Sequence, residues 1–193
     1  MKLAVVLFNL GGPDSPEAVE PFLINLFSDP AIIRAPSFVR KPLARFVAAR
    51  RAPLARRIYG CMGGRSPILP QTERQAEALE TKLKELGHDA KCFIAMRYWH
   101  PGTEKAVAEV KAWGADQVVL LPLYPQFSTT TTESSLALWD RCARAARLAA
   151  RHNIVCCYPS EHGFAGALAA GLRQALQQAK PRLSYRVLFS AHG

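Results

Sequence analysis

The sequence contains no long hydrophobic run, because its apolar residues never extend over the roughly 18–20 positions that a membrane-spanning helix needs. The apolar opening segment, residues 1–10, carries one lysine and runs directly into Gly11, Gly12 and Pro13. It has no small-residue cleavage site and is short for a signal peptide. We therefore expect a cytoplasmic protein.

Cysteine is scarce and its spacing is uninformative about metals. The five cysteines form no CxxC pair and no zinc-type arrangement. An odd count without a secretion signal argues against a disulfide framework, so we expect reduced and mostly buried thiols. Cys156 and Cys157 lie in a predicted strand and should therefore point to opposite faces.

Acidic residues are few compared with basic ones, 15 against 25, which leaves a net charge of +10. Such an excess suits nucleic acid, an anionic membrane surface or an acidic small molecule. No nucleic-acid-binding motif accompanies the charge, so the sequence predicts no nucleic acid partner. Arginines recur every three or four residues along a predicted helix at positions 141, 144, 147 and 151. This spacing indicates either a solvated face or docking, to a partner or, peripherally, to acidic lipid headgroups of the inner membrane.

Nucleotide-binding signatures are also missing, since the glycines at 11 and 12 fit neither GxGxxG nor GxxxxGK[ST]. What the chain does have is alternation of apolar runs with helical patterns. Strands are predicted near residues 3–9, 91–96, 117–121, 154–158 and 185–190, and helices near 17–27, 43–51, 72–86, 103–113, 134–151 and 164–179. This alternation is typical of an α/β fold with a doubly wound parallel sheet. We predict one nearly complete domain over 1–150, ending in a connector helix, and the first βαβ unit of a second domain over 151–193.

Ligands of such sheets bind beyond the carboxyl ends of the strands, which directs attention to the residues that follow each strand. Arg97 and Tyr98 offer a cation for carboxylates and a ring for a flat apolar ligand, or else a surface arginine and a packed tyrosine. Tyr124 and Phe127 adjoin a run of hydroxyl residues, which suits a cleft for a flat molecule or the start of the next helix. His192 follows the last predicted strand, and a neutral imidazole there can bind a divalent metal or accept a proton.

Several segments, taken together and in order, make the chain resemble the ferrochelatases, which insert ferrous iron into a porphyrin. The matching segments are Asn9-Leu10-Gly11-Gly12-Pro13, Gly63-Gly64-Arg65-Ser66-Pro67, Met96-Arg97-Tyr98-Trp99-His100-Pro101, Leu123-Tyr124-Pro125-Gln126-Phe127-Ser128 and Phe189-Ser190-Ala191-His192-Gly193.

The resemblance implies a chelatase-like fold of two similar α/β domains with a porphyrin cleft between them. It implies that His192 binds the metal or takes the pyrrole protons, that Leu10, Arg97 and Tyr98 lie along the porphyrin, and that Tyr124 lies near the route of the metal. Ferrous iron and a porphyrin, protoporphyrin or coproporphyrin, would be the substrates, with no organic cofactor. Thr129 occupies a position where some relatives have a cluster-binding cysteine, so no iron–sulfur cluster is expected.

The family's acidic partner of the histidine lies beyond the position of Gly193, so we expect the 193-residue chain by itself to insert iron poorly or not at all. Two alternatives remain open. One is a non-catalytic porphyrin- or haem-binding half-module, and the other is a cobalt chelatase that acts on a corrin precursor.

Overall fold

The first strand, β1 (Lys2–Asn9), lies at the centre of the fold and its residues 4–8 are all buried. In the computed structural model, which describes residues 1–179 and 184–189, it belongs to a parallel sheet of order β2–β1–β3–β4. The other strands are β2 (Asp89–Met96), β3 (Gln117–Pro122) and β4 (Arg151–Ile154). A strand with parallel neighbours on both sides and helices on both faces needs the continuous apolar sequence that β1 has.

Six α-helices occur in the part of the chain that the structure describes: α1 (Val19–Phe27), α2 (Ser37–Gly60), α3 (Ile68–Glu85), α4 (Thr103–Trp113), α5 (Ser134–Ala145) and α6 (His162–Gln178). One turn of π-helix, Thr129–Glu133, leads directly into α5.

The side chains of β1 alternate between two apolar layers. Ala4, Val6 and Phe8 face α4 and α5, where the edge of the Trp139 ring meets the Phe8 ring at 5.8 Å between centroids. Val5 and Leu7 point to the opposite face, against α3. Helices therefore cover both faces, which confirms the predicted doubly wound α/β class.

A third apolar cluster joins α1 and α2 to the residues that follow β1 and β2. Val19 and Phe22 of α1 pack with Ala48 and Ala52 of α2, and Tyr98 completes the buried set. Through this cluster the helical pair α1–α2 lies against the carboxyl end of the sheet, where a ligand site is expected.

The helix α2 is much longer than the helix that the sequence predicts over residues 43–51. Pro42 and Pro53 both lie inside the 24-residue helix. Each proline removes one backbone donor, but Ala44, Ala48 and Ala52 recur every four residues and are fully buried. Tertiary packing along this alanine face outweighs the local cost of the prolines.

The predicted helix over 134–151 is too long, because α5 ends at Ala145. Arg147 takes a left-handed conformation with φ of 52°, and the Leu148 N–H donates to the Ala143 carbonyl at 2.9 Å. This is the hydrogen bonding of a Schellman ending, which usually has glycine at the left-handed position. The expected stripe of four arginines on one helical face is therefore wrong, since Arg147 and Arg151 lie beyond the helix.

The strand after α5 also differs from its prediction. It runs over 151–154 instead of 154–158 and pairs in parallel with β3, with Val119 opposite Asn153. The first compact unit accordingly extends over Met1–Cys157, beyond the boundary at residue 150 expected from the sequence. Because α5 ends at Ala145, the chain returns to the sheet at Arg151, before the predicted start of the strand at residue 154. This strand therefore belongs to the first unit.

A second unit begins at Tyr158 and contains α6. Glu161 caps this helix, because its carboxylate accepts a hydrogen bond from the Phe164 N–H at 2.9 Å. The described residues 184–189 form no strand, although one was predicted over 185–190. His192 lies outside the described residues.

The expectation of mostly buried cysteines is also wrong, since Cys61 and Cys157 are exposed and the other three are partly exposed. None of the helices within 1–179 is long and apolar enough to span a membrane.

Candidate functional site

The loops that follow β1 and β2 are joined by their backbones. The Arg97 N–H donates to the Asn9 carbonyl at 2.9 Å, and the Tyr98 N–H donates to the Leu10 carbonyl at 3.0 Å. Gly11 has φ of +83°, and a side-chain carbon there would lie 3.0 Å from the Trp99 Cβ. A residue other than glycine would be strained at this position, so the glycine turn is what allows the two loops to meet.

The buried carboxylate of Asp29 holds the loop after β2 in place through hydrogen bonds. Its Oδ2 accepts hydrogen bonds from the Arg97 guanidinium at 2.5 Å, the Tyr98 hydroxyl at 2.8 Å and the Ser134 hydroxyl at 2.6 Å. Its Oδ1 accepts from the Ala31 N–H at 2.8 Å. The Ser134 oxygen also accepts from the Arg97 Nε at 2.8 Å, which closes the network. The network ties the end of α1, the loop after β2 and the start of α5 together.

Burial alone would raise the pKa of Asp29, but its hydrogen bonds from Ser134, Ala31 and Tyr98 and the positive charge of Arg97 hold it below the usual range. The same environment raises the pKa of Tyr98, first through burial and then through its hydrogen bond to the carboxylate. Asp29 is therefore ionised and Tyr98 neutral at physiological pH.

Of the two interpretations of Tyr98, the structure favours a packed tyrosine over a ring that is free to lie against a flat ligand. The residue is only 3% exposed and packs with Val19, Phe22 and Ala48, and the Arg97 guanidinium lies 4.8 Å from the ring centroid. The reason is the hydroxyl, which reaches the buried Asp29 only if the ring lies inside the cluster. Tyr98 supports Arg97 instead of presenting a free face.

Leu10 and Arg97 are nearer to solvent than Tyr98. Leu10 is partly exposed at the edge of the α1–α2 cluster. The Arg97 side chain retains 15% exposure and borders a cavity of about 600 Å³, which is also lined by His100, Glu104 and Arg141. Two of its N–H groups are used by Asp29 and Ser134, and a guanidinium has five.

Tyr124 follows β3 at the same edge of the sheet. The preceding Leu123 N–H donates to the Phe8 carbonyl at 2.9 Å, which fixes the segment beside β1. The Tyr124 hydroxyl is buried, and burial raises the pKa of this side chain to about 12. The structure thus brings Leu10, Arg97, Tyr98 and Tyr124 to one end of the sheet, as the sequence predicts.

No cluster of three or more His, Cys, Asp or Glu side chains suited to a metal occurs among residues 1–179 and 184–189. The predicted metal-handling residue, His192, lies outside this part of the chain.

Sequence reasoning missed Asp29 and Ser134. A signal for Asp29 was present, because an acidic residue just after the end of a helix faces the negative end of the helix dipole and needs a cationic partner. Ser134 offered no such signal, since a serine before a helix is usually a cap.

Comparison of the sequence with known proteins shows the family of this chain. The ferrochelatase family model matches residues 2–193. A ferrochelatase of Caulobacter vibrioides (strain NA1000 / CB15N) is 54% identical over 194 residues, which cover 100% of this chain and 55% of the relative. The ferrochelatases of Hyphomonas neptunium and Pelagibacter ubique are 52% and 44% identical and also match 100% of the chain. The chain spans about half the length of the curated relatives it matches. It belongs to the ferrochelatase family.

Proposed function

We propose that the protein inserts ferrous iron into a porphyrin, protoporphyrin or coproporphyrin, in the last steps of haem biosynthesis. The observation that carries this proposal is the ferrochelatase match over residues 2–193, which includes His192. Ferrous iron is a substrate in this reaction. No organic cofactor is proposed, because insertion exchanges two pyrrole protons for a metal ion without a redox step. A threonine at position 129 offers no thiolate, so the proposal includes no iron–sulfur cluster.

In this proposal His192 receives the iron or takes a pyrrole proton, since a neutral imidazole does both near pH 7. Leu10 gives an apolar contact to the macrocycle, and Tyr124 lies near the route of the metal. Arg97 meets a carboxylate of the porphyrin with the N–H groups that Asp29 and Ser134 leave unused. Tyr98 and Asp29 hold this guanidinium in place.

The test combines two measurements on the protein and on a His192→Ala variant. Anaerobic metalloporphyrin formation from ferrous iron reports insertion, and quenching of porphyrin fluorescence reports binding. The 193-residue chain by itself is expected to insert iron poorly, and the substitution should abolish the insertion that it has while leaving porphyrin affinity within about threefold, since the imidazole acts on the metal and the protons. Gln71→Ala on the exposed surface of α3 is the matched control.

A porphyrin affinity that is the same with and without ferrous or zinc ion, together with no measurable insertion, would favour the non-catalytic binding module. Preferential insertion of cobalt into a corrin precursor would favour the cobalt chelatase. Equal insertion by the protein and His192→Ala would contradict the role given to the histidine.

We also propose that α2 makes peripheral contact with an acidic membrane surface on the cytoplasmic side. Among its 24 residues are seven cationic ones and no acidic one, the cations being Arg40, Lys41, Arg45, Arg50, Arg51, Arg56 and Arg57. Several large apolar side chains of the same helix are exposed, Phe46 to 62% and Leu54 to 61%. Their positions lie opposite the buried alanine face. The combination suits a helix that lies in a lipid interface, with apolar groups inserted and arginines at the headgroups.

Sedimentation with vesicles tests this contact. The protein should bind vesicles containing phosphatidylglycerol and not neutral phosphatidylcholine vesicles, and Phe46→Ser and Arg50→Glu should each weaken binding severalfold. Arg74→Glu on α3 changes the net charge equally and is the matched control. Equal losses for Arg50→Glu and Arg74→Glu would show that net charge, not α2, is responsible.

A further inference from the structure

Two consecutive cysteines, Cys156 and Cys157, lie just after β4 at the end of the first compact unit. The prediction that they point to opposite faces of a strand is wrong, because β4 ends at Ile154 and residues 155–158 have no regular structure. In this irregular segment the two sulfurs lie on the same side of the backbone, 2.9 Å apart. Cys157 is exposed and Cys156 is partly exposed, so reagents in solution reach the pair.

We propose that Cys156 and Cys157 form a vicinal dithiol that closes reversibly to a disulfide when it meets a disulfide oxidant such as oxidised glutathione. A disulfide has a sulfur–sulfur distance of about 2.05 Å. The sulfurs at 2.9 Å therefore need to approach by less than an ångström, without any movement of a second chain segment. This inference does not depend on the proposed iron insertion.

The reaction proceeds by two exchanges. One cysteine, as its thiolate, attacks a sulfur of oxidised glutathione, which forms a mixed disulfide and releases one glutathione thiolate. The neighbouring thiolate then attacks the protein sulfur of the mixed disulfide and releases the second glutathione thiolate. The two cysteine protons end on the two released glutathiones. The protein pair is oxidised by two electrons, and the glutathione disulfide is reduced by the same two.

Closure of adjacent residues is strained, and this strain makes the disulfide reversible. Neighbouring Cα atoms across a trans peptide are about 3.8 Å apart, whereas Cα atoms joined by a disulfide are usually about 4.4–6.8 Å apart. Strained and exposed disulfides have more oxidising potentials and are easily reduced. The pair should therefore stay reduced in an ordinary cytoplasmic thiol pool and close only under oxidative conditions.

A metal site explains this geometry less well. Two thiolates on one tetrahedral zinc ion, each about 2.3 Å from the metal, lie about 3.8 Å apart. The sulfurs here are closer than that, and no third His, Cys, Asp or Glu ligand joins them among the described residues. A dithiol without further ligands favours disulfide chemistry.

The experiment treats the folded protein with oxidised glutathione, alkylates the remaining thiols and analyses tryptic peptides by mass spectrometry. Residues 152–173 form one tryptic peptide that contains Cys156 and Cys157 and no other cysteine, and Cys61 lies in the separate peptide 58–65. Cys61 is an exposed cysteine without a neighbour and serves as the internal control. We expect Cys61 to gain one glutathionyl group, and peptide 152–173 to lose two hydrogen atoms and to resist alkylation until it is reduced.

The variants Cys156→Ser and Cys157→Ser remove the partner thiol and should convert the remaining cysteine to a glutathione adduct, as at Cys61. Three results would overturn the proposal. Both thiols of the pair could remain alkylatable at a concentration of oxidised glutathione that modifies Cys61. Both thiols could carry glutathione at once. Peptide 152–173 could also be recovered as a disulfide-linked dimer.

Discussion

The buried side chain of Asp29 determines the positions of several other side chains. Its carboxylate accepts from Arg97, Tyr98 and Ser134, and it is 4% exposed. Without Arg97 this buried charge would be costly, and without Asp29 the guanidinium would turn toward solvent. The arginine proposed to meet the porphyrin is therefore held in place by a carboxylate that is itself buried.

Removal of Asp29 should destabilise the protein strongly. Asp29→Ala leaves the Arg97 charge and the Tyr98 and Ser134 hydroxyls without their acceptor, and we expect the free energy of unfolding to fall by about 3–5 kcal/mol. Asp29→Asn keeps one acceptor oxygen and should cost less. Urea denaturation measures both.

The matched control is Asp140→Ala, which breaks the exposed ion pair with Arg144 and should cost about 1 kcal/mol or less. Similar losses for Asp29→Ala and Asp140→Ala would contradict the structural importance of the buried network.

The pKa of Asp29 also predicts how stability depends on pH. Its pKa in the folded state is lowered, so the stabilisation is fully present above the unfolded-state pKa of about 3.9 and is lost as the pH falls through the folded-state value. The free energy of unfolding, measured between pH 2 and 7, should therefore decrease below about pH 4. Asp29→Asn should show a shallower decrease. An identical pH profile for both proteins would mean that other carboxylates account for acid unfolding.

At the scale of elements, the packing of α2 depends on a narrow face of the helix that consists of three alanines. Ala44, Ala48 and Ala52 have no exposed surface, and this lets the helix approach α1 closely despite two internal prolines. The surrounding positions carry arginines and exposed apolar side chains. One helix thus combines a close-packed inner face with an outer face available to a membrane.

A larger side chain on the alanine face of α2 should push α2 away from α1. Ala48→Leu adds a branched side chain to a filled contact, and we expect a loss of about 1–3 kcal/mol in the free energy of unfolding. Ala49→Leu makes the same substitution at the adjacent exposed position and should change stability by about 0.5 kcal/mol or less. Thermal and urea denaturation of the two variants compare them directly. Equal effects at both positions would contradict close packing at Ala48.

At the scale of the whole molecule, the apolar runs near residues 5, 93 and 119 predicted the parallel sheet, and glycines predicted the end of α4. Physical reasons explain what was missed. Pro42 and Pro53 disfavour a helix locally but are tolerated by the packing of α2, and Arg147 ends α5 in a conformation that usually signals glycine. Leu10, Arg97 and Tyr124 could be proposed from the sequence because they follow strands and lie in the ferrochelatase-like motifs, whereas Asp29 acts through contacts between residues distant in sequence.

The order of strands predicts where the molecule opens first. β1 pairs along its full length with β2 on one side and is paired with β3 on the other, and its residues 4–8 are buried. β4 pairs with β3 through four residues that are all exposed. Amides of β1 should therefore exchange only through global unfolding, and those of β4 through local opening.

Hydrogen exchange followed by mass spectrometry should find β4 exchanging at least about 100-fold faster than β1. Low concentrations of urea should accelerate exchange in β1 much more than in β4, because global unfolding exposes more surface. Equal protection of both strands, with equal sensitivity to urea, would show that β4 belongs to the same cooperative unit as the centre of the sheet.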